Sequence, residues 1–123
     1  MRQEITDRLT STMAQQGFDA IVTLSPENYS YVAGYGVPSQ PLMRWRHAAI
    51  VITASGECAV FVVDMEATTV RAKTPDNVRL AVWGEFTDNA MERLAALLSY
   101  TGLAKARIGT EFDYLPAGDF QEL

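Results

Sequence analysis

The chain has 123 residues, 48% of them hydrophobic and 20% charged, and carries a net charge of −5 at neutral pH. That length fits a single domain with a sizeable core, and the balance is globular rather than disordered. Ten Lys and Arg residues, mostly dispersed along the chain, argue against a nucleic-acid partner, because phosphate backbones are held by clustered basic groups.

No apolar run approaches the ~18 residues that a membrane-spanning helix needs. The first residues, Met1 to Arg8, lack the continuous apolar block of a signal peptide. The expectation is a cytoplasmic protein with no membrane partner. Cys58, the single cysteine, has no intramolecular partner for a disulfide. Its place at the head of Cys58-Ala59-Val60-Phe61-Val62-Val63 reads as that of a small apolar strand residue rather than a nucleophile.

Taken in order, residues 4–16 read as an amphipathic helix, with Ile5, Leu9 and Met13 recurring on one face and Gly17 in the place of a left-handed cap. Asp19 to Leu24 reads as a short strand buried on both faces. Ser25 is a preferred N-cap and Pro26 suits a first helical position, so a short helix starts there and ends at Gly34. Residues 35–46 contain Gly36, Pro38 and Pro41 and read as an irregular loop. Residues 47–53 and 58–63 read as an antiparallel hairpin about Ala54-Ser55-Gly56-Glu57. A helix over about 64–73 would be capped by Asp64, and a strand follows at 78–83. Thr87 or Asp88 would cap a helix running to about Tyr100, with Met91, Leu94, Leu97 and Leu98 as its apolar stripe and Gly102 as its stop. Residues 106–109 form a last strand, and a final helix begins after Pro116. The succession α-β-α-β-β-α-β-α-β-α predicts an α/β domain over 1–123, a layered α/β/α arrangement on a mixed, mostly parallel sheet with one antiparallel hairpin.

Catalytic arrangements are sparse. One histidine rules out a pair of His metal ligands, and neither a phosphate-binding glycine loop nor a G-x-S-x-G elbow is present. The seven Asp and eight Glu fall largely at caps, turns and exposed helix faces. One segment combines the residue types a binding contact needs: Arg44-Trp45-Arg46-His47, at the junction of the loop and the second strand. A guanidinium can hold a carboxylate through two hydrogen bonds, and an indole offers an apolar wall. Two readings stay open for Arg44, Trp45, Arg46 and His47: a contact for an anionic or zwitterionic small ligand, or a solvated strand entrance whose Trp packs on a neighbouring helix. Tyr29, Tyr31 and Tyr35 read as core and rim packing.

The ordered set Arg8-Leu9, Met13, Gly17 to Val22, Ser25 to Tyr35, the hairpin, Ile108 to Glu111 and Tyr114-Leu115-Pro116 resembles the N-terminal domain of the creatinase/prolidase/aminopeptidase P family. The likeness covers essentially the whole chain. It implies the smaller, non-catalytic half of a hydrolase whose C-terminal domain, absent here, binds two divalent metal ions (Mn, Co or Zn). It implies a parent enzyme that cleaves Xaa-Pro peptides or a C–N bond in a small molecule such as creatine. It further implies a homodimer in which this domain helps assembly, covers the active site and meets the small peptide or guanidino substrate at the domain interface. The segment matching the family's substrate-reaching strand entrance by position is Arg44 to His47. No metal ligand carries over to this chain. A stand-alone ligand-binding or dimerisation module of the same fold is the competing expectation.

Overall fold

The computed structural model describes residues 1–43, 45–111 and 113–123. The elements are α1 (Gln3–Gln16), β1 (Ala20–Thr23), α2 (Pro26–Ala33), β2 (Ala49–Thr53), β3 (Cys58–Val63), α3 (Ala67–Lys73), β4 (Arg79–Trp83), α4 (Ala90–Tyr100), β5 (Ile108–Gly109) and α5 (Ala117–Glu122). They form one five-stranded sheet in the order β4-β3-β2-β1-β5.

Strand periodicity divides the core in two, because successive side chains point to opposite faces. Val22, Val51, Ala59, Phe61, Val63 and Trp83 bury on one face against Met91, Leu94, Leu97 and Leu98 of α4. Ile50, Ile52, Val60 and Val62 bury on the other against Ile5 and Met13 of α1, Tyr29 and Val32 of α2, and Val70 of α3. The layered α/β/α arrangement is as expected. The sheet is mixed, but its parallel share is half rather than the greater part. β2 is antiparallel to β1 as well as to β3, while β1 pairs with β5 and β3 with β4 in parallel. The hairpin signal marked only the β2–β3 partnership; the β1–β2 pairing spans α2 and the loop after it, so no hairpin turn announces it.

Helix ends follow the backbone chemistry, with two corrections. Gly17 and Gly34 close α1 and α2 in left-handed conformations at φ 75° and 86°, which cost a glycine no side-chain clash. Ser25 Oγ accepts from Asn28 N–H, as a cap should. The cap of α4, however, is Asn89, whose Oδ1 accepts from Met91 and Glu92 N–H. Asp88 is diverted instead to the turn, its Oδ2 accepting from Gly84 N–H at 2.7 Å. Asp64 caps nothing through its side chain; residues 64–66 form a 3-10 turn that leads into α3.

Strand directions decide where the loops gather. β2 opposes both neighbours, so its first residue, Ala49, lies at the same end of the sheet as the last residues of β1, β3 and β4. Residues 24–25, 35–43, 45–48, 64–66, 84–88, 110–111 and 113–116 therefore meet at one end. The other end holds the 17–19, 54–57, 74–78 and 101–107 connections.

Candidate substrate-contact end of the sheet

The long loop reaches this end through Gln40, whose side chain is buried to 1% exposure. Its Nε2 donates to Leu24 O and to Ala48 O, tying the exit of β1 to the entrance of β2. A polar side chain this deep has to be hydrogen-bonded to be tolerated. The loop is thus pinned at its middle by the Gln40 side chain.

The residues after Gln40 separate into different environments. Arg44 lies outside the described residues. Trp45 is exposed. Arg46 turns inward, its Nε donating to Glu85 Oε1 at 2.9 Å. The two side chains are only 14% and 9% exposed, so the pair is largely removed from water. Glu85 stands in a tight turn after β4. There a Cβ on Gly84 would come within 2.4 Å of Thr87 Oγ1, so the turn needs glycine. His47 is buried and its Nε2 lies 3.1 Å from Asp119 Oδ2 of α5. The His47 carbonyl accepts from Trp83 Nε1 at 2.9 Å. Trp45, Arg46 and His47 thus share one end of the sheet but face three ways: solvent, the 84–88 turn and α5.

Glu111 completes this end from the β5 side. Its Oε1 accepts from the Leu24 and Ser25 N–H groups and its Oε2 from Asn28 Nδ2. Burial would raise its pKa, but hydrogen bonds from Ser25, Leu24 and Asn28 outweigh that and hold it below the usual carboxylate range. The carboxylate also faces the positive end of α2, where a negative charge is stabilised. Sequence reasoning missed Gln40, Glu85, Glu111 and Asp119 as members of this end. Gln40, Glu85 and Glu111 stand in loops at this end of the sheet, whereas Asp119 stands inside α5, and no local pattern marks any of the four as a neighbour of the strand entrance.

Apolar side chains ring the same end. Leu42 and Phe86 are 84% and 88% exposed, and Trp45 and Met65 are largely exposed as well. Scattered single apolar residues are ordinary on a surface, whereas several on converging loops mark an interaction surface. Two hollows lie elsewhere. A furrow of about 1010 Å³ runs past Thr53, Glu57, Asp76 and Asn77 at the opposite end. A groove of about 300 Å³ lies between α4, β5 and α5, lined by Leu98, Ile108 and Phe120. Neither holds Trp45, Arg46 or His47.

Among the described residues no three His, Cys, Asp or Glu side chains group as a metal site would require. The metal pair implied by the resemblance therefore finds no matching ligand set here. Burial pushes the Cys58 thiol up, more than the N-terminal ammonium pulls it down. No helix among the described residues is long and apolar enough to cross a membrane.

Known proteins agree with this architecture. The creatinase/prolidase N-terminal domain of an X-Pro dipeptidase from Streptococcus pyogenes superposes with a TM-score of 0.79 at 19% identity, over 98% of this chain and 85% of that one. The N-terminal domain of a Lactobacillus brevis Xaa-Pro dipeptidase gives 0.79 at 15% identity, over 96% and 84%. Against a Bacillus anthracis Xaa-Pro dipeptidase the TM-score is 0.73 at 13% identity, and the match spans 97% of this chain but 29% of that one. At these identities the likeness is one of fold. No curated protein matches the sequence. The family model for the creatinase/prolidase N-terminal domain matches residues 6–123, and the chain belongs to that family.

Proposed function

We propose that this creatinase/prolidase N-terminal domain is the non-catalytic, substrate-covering part of a dinuclear-metal hydrolase of the Xaa-Pro dipeptidase kind, and that it works in a homodimer. The observation that carries the reading is the composition of one sheet end: exposed Leu42, Trp45, Met65 and Phe86 beside a fixed Arg46. Exposed apolar side chains suit a surface that closes over another part of a protein. A rigid guanidinium among them suits a carboxylate, such as the C-terminus of a short peptide. A relative in which a domain of this fold makes up 29% of the chain gives such a surface a neighbour to cover.

In this reading the division of labour is simple. Divalent metals, held by side chains that this chain does not supply, would activate the attacking water. Residues of this domain would exclude bulk water and hold the substrate carboxylate. Trp45 supplies a wall and Arg46 a charge, while Arg44 and His47 are assigned with them as the strand-entrance contact.

The test compares residues 1–123 with a protein that includes whatever the gene encodes after Leu123. The longer protein is expected to hydrolyse an Xaa-Pro dipeptide when Mn²⁺, Co²⁺ or Zn²⁺ is supplied, and residues 1–123 alone are expected to be inactive. Trp45→Ser and Phe86→Ser should weaken that activity or the dimer while leaving the melting temperature nearly unchanged. Hydrolysis by 1–123 alone would overturn the proposal. A stop codon after Leu123 would favour the stand-alone module.

A further inference from the structure

Arg46 uses its guanidinium unevenly. Nε is taken by Glu85 Oε1, and among the described residues the side chain makes no other hydrogen bond. Its terminal nitrogens are nevertheless not among the buried polar atoms that lack a partner. The side chain keeps 14% of its surface exposed, and its Nε lies 2.9 Å from Glu85 Oε1. A guanidinium offers two forked edges, one that includes Nε and one made by the two terminal nitrogens. With Nε occupied, only the terminal edge is left for a ligand.

Glu85 is built to impose this choice. It stands in a turn kept tight by Gly84 N–H to Asp88 Oδ2 and by the close approach of Thr87. Its Oε2 is buried and has no hydrogen-bond partner. A pair seeking the greatest stability would use both oxygens in a bidentate grip on the guanidinium. This pair uses one, leaving a buried carboxylate oxygen unsatisfied at a cost in free energy. The single-point grip keeps the outer edge of Arg46 open.

We infer that Glu85 is a positioning residue: by taking Nε–H of Arg46 it turns the two terminal nitrogens outward as a fork for a ligand carboxylate. The inference rests on the reading of Arg46 as a substrate contact given above. It adds the residue that fixes its orientation and the ligand group that orientation selects. Trp45 and Phe86 are both exposed, and each is adjacent in sequence to one member of the pair.

The test uses the metal-free protein with whatever the gene encodes after Leu123. Ala-Pro and its C-terminal amide, which lacks the carboxylate, are titrated against the ¹⁵N-labelled protein, with the Arg46 Nε–H resonance followed in parallel. Wild type should prefer Ala-Pro over the amide, and Arg46→Ala should remove the preference. Glu85→Ala should keep the amide fingerprint of the fold, lose the sharp Nε–H resonance and weaken Ala-Pro binding about tenfold. Glu85→Gln, which still offers an oxygen to Nε–H, should restore most of the preference. If wild type does not distinguish the two dipeptides, the carboxylate reading of Arg46 fails and this inference fails with it. If the preference survives Glu85→Ala, or the Nε–H resonance is unchanged in that variant, Arg46 keeps its reading and Glu85 loses its role.

Discussion

Glu111 offers the sharpest quantitative test, because it fastens the end of β5 to the start of α2 by side-chain hydrogen bonds. Replacing it with Ala removes the acceptor for the Leu24 and Ser25 N–H groups and for Asn28 Nδ2. A hydrogen bond to a charged group is worth about 1.5–3 kcal/mol when buried. Glu111 is only half-buried, so water recovers part of each, and about 2 kcal/mol in total is the expected loss for Glu111→Ala. Glu111→Gln keeps one oxygen for the backbone donors but sets an amide N–H₂ against Asn28 Nδ2, at about 1 kcal/mol. The sign of the pH dependence follows from the depressed folded pKa. The stabilisation is complete above the unfolded value, about 4.3 for Glu, and fades as pH falls through the lower folded value. Urea unfolding of wild type and Glu111→Gln at pH 7, 4 and 3 should show a gap that is widest at pH 7 and narrows below 4. A gap that is absent at pH 7, or that stays constant to pH 3, refutes the reasoning.

Three further outcomes follow from the same geometry. Leu94→Ala, at a fully buried position of α4 facing the sheet, should cost about 2–5 kcal/mol by denaturant unfolding, since the site has little room to collapse. Burial, and then the hydrogen bond to Tyr35, lift the Tyr29 phenol far above the ordinary tyrosine range. In a spectrophotometric titration one of the five tyrosines should therefore ionise only when the fold is lost at high pH, and Tyr29→Phe should abolish that late component. Asp119→Ala should loosen α5 from the sheet, because it removes the carboxylate 3.1 Å from His47 Nε2, and faster amide exchange over residues 117–122 is the measurement that checks it.

Much of the fold was legible because local chemistry and global position agree. The 3.6-residue recurrence of Ile5, Leu9 and Met13, the Ser25-Pro26 start and the Gly17 and Gly34 stops each act within a few residues. The antiparallel β1–β2 pairing was not legible, because it joins segments separated by the long 35–48 loop and needs no local turn. The α4 cap fell one residue beyond Asp88 for a reason visible only in three dimensions: Asp88 is needed at Gly84. The candidate site was legible only in part. Arg46 and His47 announce themselves as unusual residues at a strand entrance. Glu85 and Asp119, which orient them, are ordinary acids 39 and 72 positions further along the chain.

The direction of β2 explains why these distant acids meet the strand entrance at all. Had β2 run parallel to β1, the entrance of β2 would lie at the opposite end of the sheet from the exits of β1, β3 and β4. Arg46 and His47 would then be about one strand length, roughly 3.3 Å per residue, from the 84–88 turn and from α5. Reversal of one strand brings the Gln40 tie, the Arg46–Glu85 pair and the His47–Asp119 contact to the same edge of the core. The Ser25–Glu111 network lies there too. Each joins a loop to a different element, so the end of the sheet is fixed from several sides while Leu42, Trp45, Met65 and Phe86 are left outside. The covering role proposed above would call on both properties: a rigid frame that holds a charged group in one orientation, and apolar side chains free to meet a second surface.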